Sequence, residues 1–247
     1  ERILMLYFNN FSNISYNFGD EPDPVIFQNI SGYADIIDQI KDDITFANTH
    51  TIQEGFRADQ VSIQLYDTPL HYWTFYLLND NLREQGWPLP NQELITYIHK
   101  VFPNTTITTR DGDLANKFKI GQTISGNTSG QSGKVIKRNI DLGQIIVEGN
   151  VSFTTGGETF TSTNSSGVEE TLVAVSAERE YLSESHYVDG SGAIVDIDPT
   201  VGPGALLTGK TNQDVYYSVN ESLKRIKVIK PDLINGIVTS FKKSLRG

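Results

Sequence analysis

From residue 104 to residue 180 the sequence becomes a tract of Gly, Ser and Thr punctuated by short apolar runs. Such runs cannot build a helical stripe, but each fills one strand between tight turns, so the tract reads as an inserted all-β unit. A weak internal repeat supports paired hairpins. Phe118-Lys-Ile-Gly121 recurs as Phe153-Thr-Thr-Gly156, and the apolar runs at Val135-Ile136 and Leu172-Val173 each begin five residues after a Ser-Gly pair, Ser129-Gly130 and Ser166-Gly167. Two copies are too few for a solenoid. The expectation is a small barrel or sandwich, with Ile145, Ile146 and Val147 as a central strand.

The sequence on either side differs. Residues 1–103 are mixed and rich in large apolar side chains. Asn29-Ile30-Ser31 opens a helical pattern through Tyr33, Ile36, Ile37 and Ile40. Residues 59–66 fit two periods: Val61, Ile63 and Leu65 alternate as in a strand, while Ala58, Val61, Ser62 and Leu65 suit a helix. Over residues 68–80, Thr68 can cap a helix, Pro69 fits its first position, and Leu70, Trp73, Thr74 and Leu77 repeat at helical spacing until Asn79-Asp80-Asn81 ends it. Gly86-Trp87-Pro88-Leu89-Pro90 is an extended or turning link, and Asn91 can cap a further helix towards Phe102. After Tyr181 the glycines and prolines of Asp189-Gly190-Ser-Gly192 and Gly202-Pro203-Gly204 read as an extended arm. Because ordering a free arm is costly, it is expected to lie along a partner or bridge back to the first section. The chain closes with a strand over residues 223–229 and a helix opened by Pro231, with Leu233, Ile234, Ile237, Val238, Phe241 and Leu245 on one stripe. The fold class is α+β, and residues 1–103, 104–180 and 181–247 form its three parts.

Composition narrows the function. Cysteine is absent from all 247 residues, which excludes disulfides, thiol nucleophiles and cysteine-ligated metals and suits assembly in a reducing cytoplasm. No stretch reaches the length of a spanning helix and no export signal is apparent, so neither membrane nor secretion is expected. The net charge of −10 is uneven: residues 223–247 hold seven basic residues against one acidic, a net of +6. These cations alternate with Ile226, Val228 and Ile229, which favours an ordered segment docking on an acidic protein neighbour over a nucleic-acid arm.

Motifs for chemistry are weak. His50, His71, His99 and His186 form no metal-like pair, and His71 reads as a helix-surface or interface residue. Gly126-Asn-Thr-Ser-Gly-Gln-Ser-Gly133-Lys134-Val135 approximates a phosphate loop, but Thr128 occupies the position of the first glycine and Val135 that of the magnesium-binding hydroxyl. Ser191 lacks the Gly-x-Ser-x-Gly frame of a nucleophile elbow and reads as a turn. No catalytic, cofactor-binding or metal-binding residue is assigned, and no enzyme activity, cofactor or small-molecule substrate is expected.

His71-Tyr-Trp-Thr-Phe-Tyr-Leu-Leu-Asn79-Asp80-Asn81, followed by Gly86-Trp87, resembles the baseplate wedge subunit that clamps adjacent wedges in T-even-like contractile-tailed phages. The closing run Glu221-Ser-Leu-Lys-Arg-Ile-Lys-Val-Ile-Lys230 resembles the carboxyl end of that family. Phe18-Gly19-Asp20, the Asp198-Pro199-Thr-Val-Gly-Pro203-Gly segment and the Gly/Thr-rich insertion are similar to versions from cyanobacterial myophages. The resemblance implies a LysM-like module over about residues 49–89, two short helices on a small sheet, and hence a helix over residues 59–66. It also implies a structural protein of the virion tail baseplate, assembled in the bacterial host cytoplasm, whose partners are other wedge proteins and neighbouring wedges. Tyr72, Phe75, Tyr76 and Trp87 are the expected aromatic anchors. Lys224, Arg225, Lys227, Lys230 and Phe241, on the basic strand and final helix, are the expected second contact. LysM modules elsewhere bind peptidoglycan-type glycans, so a glycan-binding or wall-degrading tail-tip protein is the alternative. Tyr72, Trp73, Phe75 and Tyr76 are bulkier than a glycan-facing pattern and argue against it.

Overall fold

The computed structural model describes residues 13–17, 19, 24–28, 43 and 45–244. The helix expected over residues 29–40 lies outside the described residues, as does Leu245. In chain order the elements are β1 (Asn13–Tyr16), β2 (Val25–Gln28), β3 (Ala47–Thr51), α1 (Ala58–Tyr66), a 3-10 turn (Pro69–His71), α2 (Trp73–Leu78), α3 (Asp80–Gln85) and α4 (Asn91–Val101). There follow β4 (Thr105–Thr109), β5 (Thr123–Gly126), β6 (Ser132–Asn139), β7 (Gln144–Val147), β8 (Thr159–Thr163), β9 (Glu169–Arg179), β10 (Glu184–Val188), β11 (Ile194–Val195) and β12 (Thr208–Thr211). The chain ends with α5 (Asn212–Lys224), β13 (Arg225–Ile229) and α6 (Ile234–Ser244). The α+β class is as expected. The packing units, however, differ from the division by composition: Glu1–Pro90 with Asn220–Gly247 forms one unit, and Asn91–Val219 the other.

In the first unit, β3 and β13 pair antiparallel with Thr49 opposite Lys227, although they are far apart in the chain. Helices α1 and α2 pack with this sheet around Val61, Phe75, Leu77, Ile226 and Val228, and α6 contributes Ile234, Val238 and Phe241. Residues 59–66 are therefore helical. Ala58, Val61 and Ser62 are buried at helical spacing while Ile63 is exposed, so the period of 3.6 prevails over the alternation. Thr68 accepts a hydrogen bond from the Leu70 amide as expected, but it caps only the 3-10 turn, and Leu70 is exposed. Asn79 ends α2 and Asp80 opens α3, so the Asn-Asp pair is a corner between helices. The first unit thus places the short helices α1 and α2 against a two-stranded sheet, and one strand of that sheet, β13, comes from outside residues 49–89.

The second unit is built on a closed antiparallel barrel in the order β4-β7-β6-β5-β8-β9. Strand β9 alternates exposed and buried positions over Glu169, Glu170, Thr171, Leu172, Val173 and Ala174, the period of a sheet with one face in a core. Ile107, Phe118, Ile124, Val135, Ile145, Val147, Phe153 and Phe160 fill the interior. Both phenylalanines of the repeated Phe-x-x-Gly element are thus core residues, and the choice between barrel and sandwich is settled for the barrel.

The extended arm is not found. Residues 184–211 form the three-stranded sheet β11-β10-β12, which belongs to the second unit. The Gln144 amide donates to the Glu184 carbonyl at 2.8 Å and Arg110 donates to the Pro199 carbonyl at 3.3 Å, so segment and barrel are joined in cis. The barrel of its own unit supplies these polar contacts. The expected strand over residues 223–229 begins only at Arg225, since Leu223 and Lys224 complete α5. The last helix begins at Ile234, three residues after Pro231.

Candidate interaction surface

Asn79 is the joint of the first unit. It is 7% exposed, its Nδ2 donates to the carbonyls of Phe75 and Lys227, each at 2.8 Å, and its Oδ1 accepts from the Lys227 amide at 2.8 Å. One side-chain amide thus meets both backbone groups of a β13 residue as a neighbouring strand would. The Tyr66 hydroxyl donates to the Ile229 carbonyl at 2.9 Å further along the same edge, and burial pushes that phenol up out of its ordinary range.

This architecture corrects the aromatic anchors. Tyr72, Phe75 and Phe241 are buried in the core of their own unit. Trp73 packs tilted against Phe241, 5.2 Å between ring centres, because α6 closes over a helix whose residues other than Tyr76 are all buried. Trp87 and Tyr76 are partly buried against the same core, 5.9 Å apart, and the Trp87 indole donates to the Phe56 carbonyl at 2.7 Å. Of the five expected aromatic contacts, only the outer parts of Tyr76 and Trp87 remain at a surface.

The basic residues divide as well. Lys224 is a structural cation: its ammonium pairs with Glu54 at 3.0 Å and closely with Glu221, and the hydrogen bond to Glu221, with further support from Glu54, raises its pKa. Lys230 is half-buried, and its charge contributes to holding Asp43 low, after the hydrogen bonds from Thr45. Arg225 and Lys227 are exposed, opposite exposed Thr51 and Thr49. These four side chains form a basic, hydroxyl-bearing sheet face. His71 is half-buried. Its Nδ1 is buried without a hydrogen-bond partner among the described residues, and burial, then the charge of Lys242, lowers its pKa.

No family model and no curated protein matches the chain.

In the second unit the segment resembling a phosphate loop is filled from within. Thr128 and Ser129 donate their amides to Oε1 of Glu158 at 3.0 and 2.6 Å, and Thr154 donates to Oε2 at 2.7 Å. Burial opposes ionisation of Glu158, which is 1% exposed, but these donors outweigh it and the carboxyl lies below its ordinary range. A Cβ on Gly126 would stand 2.4 Å from that carboxylate, so the turn has room for its own anion only. Ser191 also behaves as a turn residue, its amide and hydroxyl both donating to Asp189. On the barrel exterior an open groove of about 930 Å³ is lined by hydroxyl and amide side chains, among them Thr123, Ser125, Thr161, Thr163, Asn164 and Gln122. Among the described residues no group of three or more His, Asp or Glu side chains is placed to hold a metal ion, and no helix is long and apolar enough to cross a membrane.

Proposed function

We propose that this chain is a non-enzymatic structural protein of a contractile phage tail, an adaptor that joins neighbouring baseplate wedges. One observation carries the reading. The two stretches that resemble the wedge-clamping family, residues 71–81 and 221–230, meet in one module through the hydrogen bonds of Asn79 to Lys227, 148 positions apart. The resemblance thus falls on a single packed unit of two short helices and two strands, with Arg225 exposed on one face of the sheet. An adaptor of this kind acts by effective concentration: binding one wedge presents the next at a raised local concentration and closes the ring without any reaction. The chain assembles in the host cytoplasm and resides in the virion.

Co-expression with the wedge proteins of a contractile phage tests this. Wedges are expected to join into larger complexes only when the chain is present, and wedges that join equally well without it would refute the reading. The open hydroxyl-lined groove of the barrel favours a second reading, glycan recognition at the tail tip. Sedimentation with purified peptidoglycan, lost on replacing Thr161 and Thr163 with Val, is the outcome that reading requires.

A further inference from the structure

Among the described residues the two edges of the β3–β13 sheet differ. The Ile52 amide donates to the Lys224 carbonyl at 2.8 Å and the Lys230 amide to the Phe46 carbonyl at 3.0 Å. These bonds fix the parity of the ladder: even-numbered positions of both strands bond across it, and odd-numbered positions turn their N–H and C=O groups outward. On β13 the outward groups of Lys227 are met by Asn79, and the outward carbonyl of Ile229 by Tyr66. On β3 they belong to Ala47, Thr49 and Thr51. The Ala47 amide reaches the Asp43 carbonyl at 3.2 Å. The amides and carbonyls of Thr49 and Thr51 have no partner among the described residues, and both residues are exposed.

We propose that the outer edge of β3 accepts an extended, acidic segment of a partner protein as a third strand of this sheet. Unpaired backbone groups on an exposed edge are a template for strand addition, and β-branched threonine suits the pleated conformation the incoming strand must match. Charge selects the occupant. An added strand would lie about 10 Å from β13, twice the spacing of neighbouring strands, within joint reach of a Glu side chain and of exposed Arg225 on the same face. The same guanidinium disfavours a basic segment. The inference deepens the adaptor reading, on which it rests for the identity of the partner, but its geometry belongs to this chain alone.

The test uses the full chain and a fluorescent peptide alternating Glu and Val over about six residues, with a Lys and Val peptide as control. Binding of the acidic peptide is expected to slow hydrogen exchange at the Thr49 and Thr51 amides by about tenfold or more. Asn48 and His50, already paired, should change little. Thr49→Pro removes an N–H that the fold does not use and should weaken binding about tenfold, whereas Thr49→Ala should not. Arg225→Glu, which leaves the backbone intact, should weaken the acidic peptide and favour the Lys peptide; it carries the test if the proline variant fails to fold. Equal binding of both peptides, or unchanged exchange at Thr49 and Thr51, overturns the proposal. Protection of the same amides by self-association of the chain would assign the edge to a second copy and also overturn it. Because no baseplate protein is present, a negative result here is separate from failure of wedge joining.

Discussion

Two asparagines stand in for strands in the first unit. Asn79 bonds both backbone groups of Lys227, and Asn220 does the same for Leu89, accepting from its amide at 2.8 Å and donating to its carbonyl at 3.0 Å. Replacing either by Ala leaves a donor and an acceptor unmet, so Asn79→Ala is expected to cost about 2 to 6 kcal/mol in chemical denaturation, counting roughly 1 to 3 kcal/mol for each of the two unmet groups. Neither role is legible in the sequence, where Asn79 reads only as a helix end and nothing marks Asn220, because the groups they satisfy come from distant segments. The titration of Glu178 gives a second residue-scale outcome. Burial first, then the nearby charge of Glu184, raises its pKa, so its ionisation opposes folding. The stability it allows is present below its unfolded pKa and is lost as pH rises through its folded value. Glu178→Gln should therefore raise the melting temperature at pH 7 and have little effect at pH 4, as read by calorimetry at both values. His71 runs the other way. Its folded pKa is lowered, chiefly by burial, so the penalty for protonating it appears as pH falls through 6.5, and His71→Gln should reduce the loss of stability between pH 7 and pH 5.

At the scale of single elements, local signals were read well where packing agreed with them. The tight turns and short apolar runs of residues 104–180 became hairpins of the barrel, and the Ile145-Ile146-Val147 run is its fully buried strand β7. Helix α5 was missed, although its start is marked: Thr211 and Asp214 form a reciprocal cap, each side chain accepting from the other's amide at 3.0 Å. The glycines before it favour an extended arm on local pattern alone. Thr211→Ala removes half of this cap and is expected to cost about 1 kcal/mol of stability. Close approach sets another constraint. A Cβ on Gly133 would stand 2.3 Å from a Val147 methyl in the barrel wall, so Gly133→Ala should destabilise the barrel by about 1 to 3 kcal/mol through overpacking, as read by a lowered denaturation midpoint.

For the whole molecule, the consequential feature is that the second unit interrupts the first between Pro90 and Asn220. Residues 91–219 hold a closed barrel with its own core, and expressed alone they are expected to unfold in one cooperative transition. A chain truncated after Pro90 lacks β13 and α6 and should not fold, because Val61, Phe75 and Leu77 would lose Ile226, Val228 and Phe241 from their core. Circular dichroism melts of the two fragments check both outcomes. The sequence by itself determined the periodicities: an α+β chain, a β tract built of hairpins, aromatic short helices, and a basic strand leading into an amphipathic helix. These follow from local spacing and turn chemistry, which act over a few residues. Only the tertiary structure decided which apolar faces cover one another. Phe75 and Phe241 became core because strand pairing brought residues 47–51 and 225–229 together, and that pairing is a gain made across a long chain separation which no local pattern records.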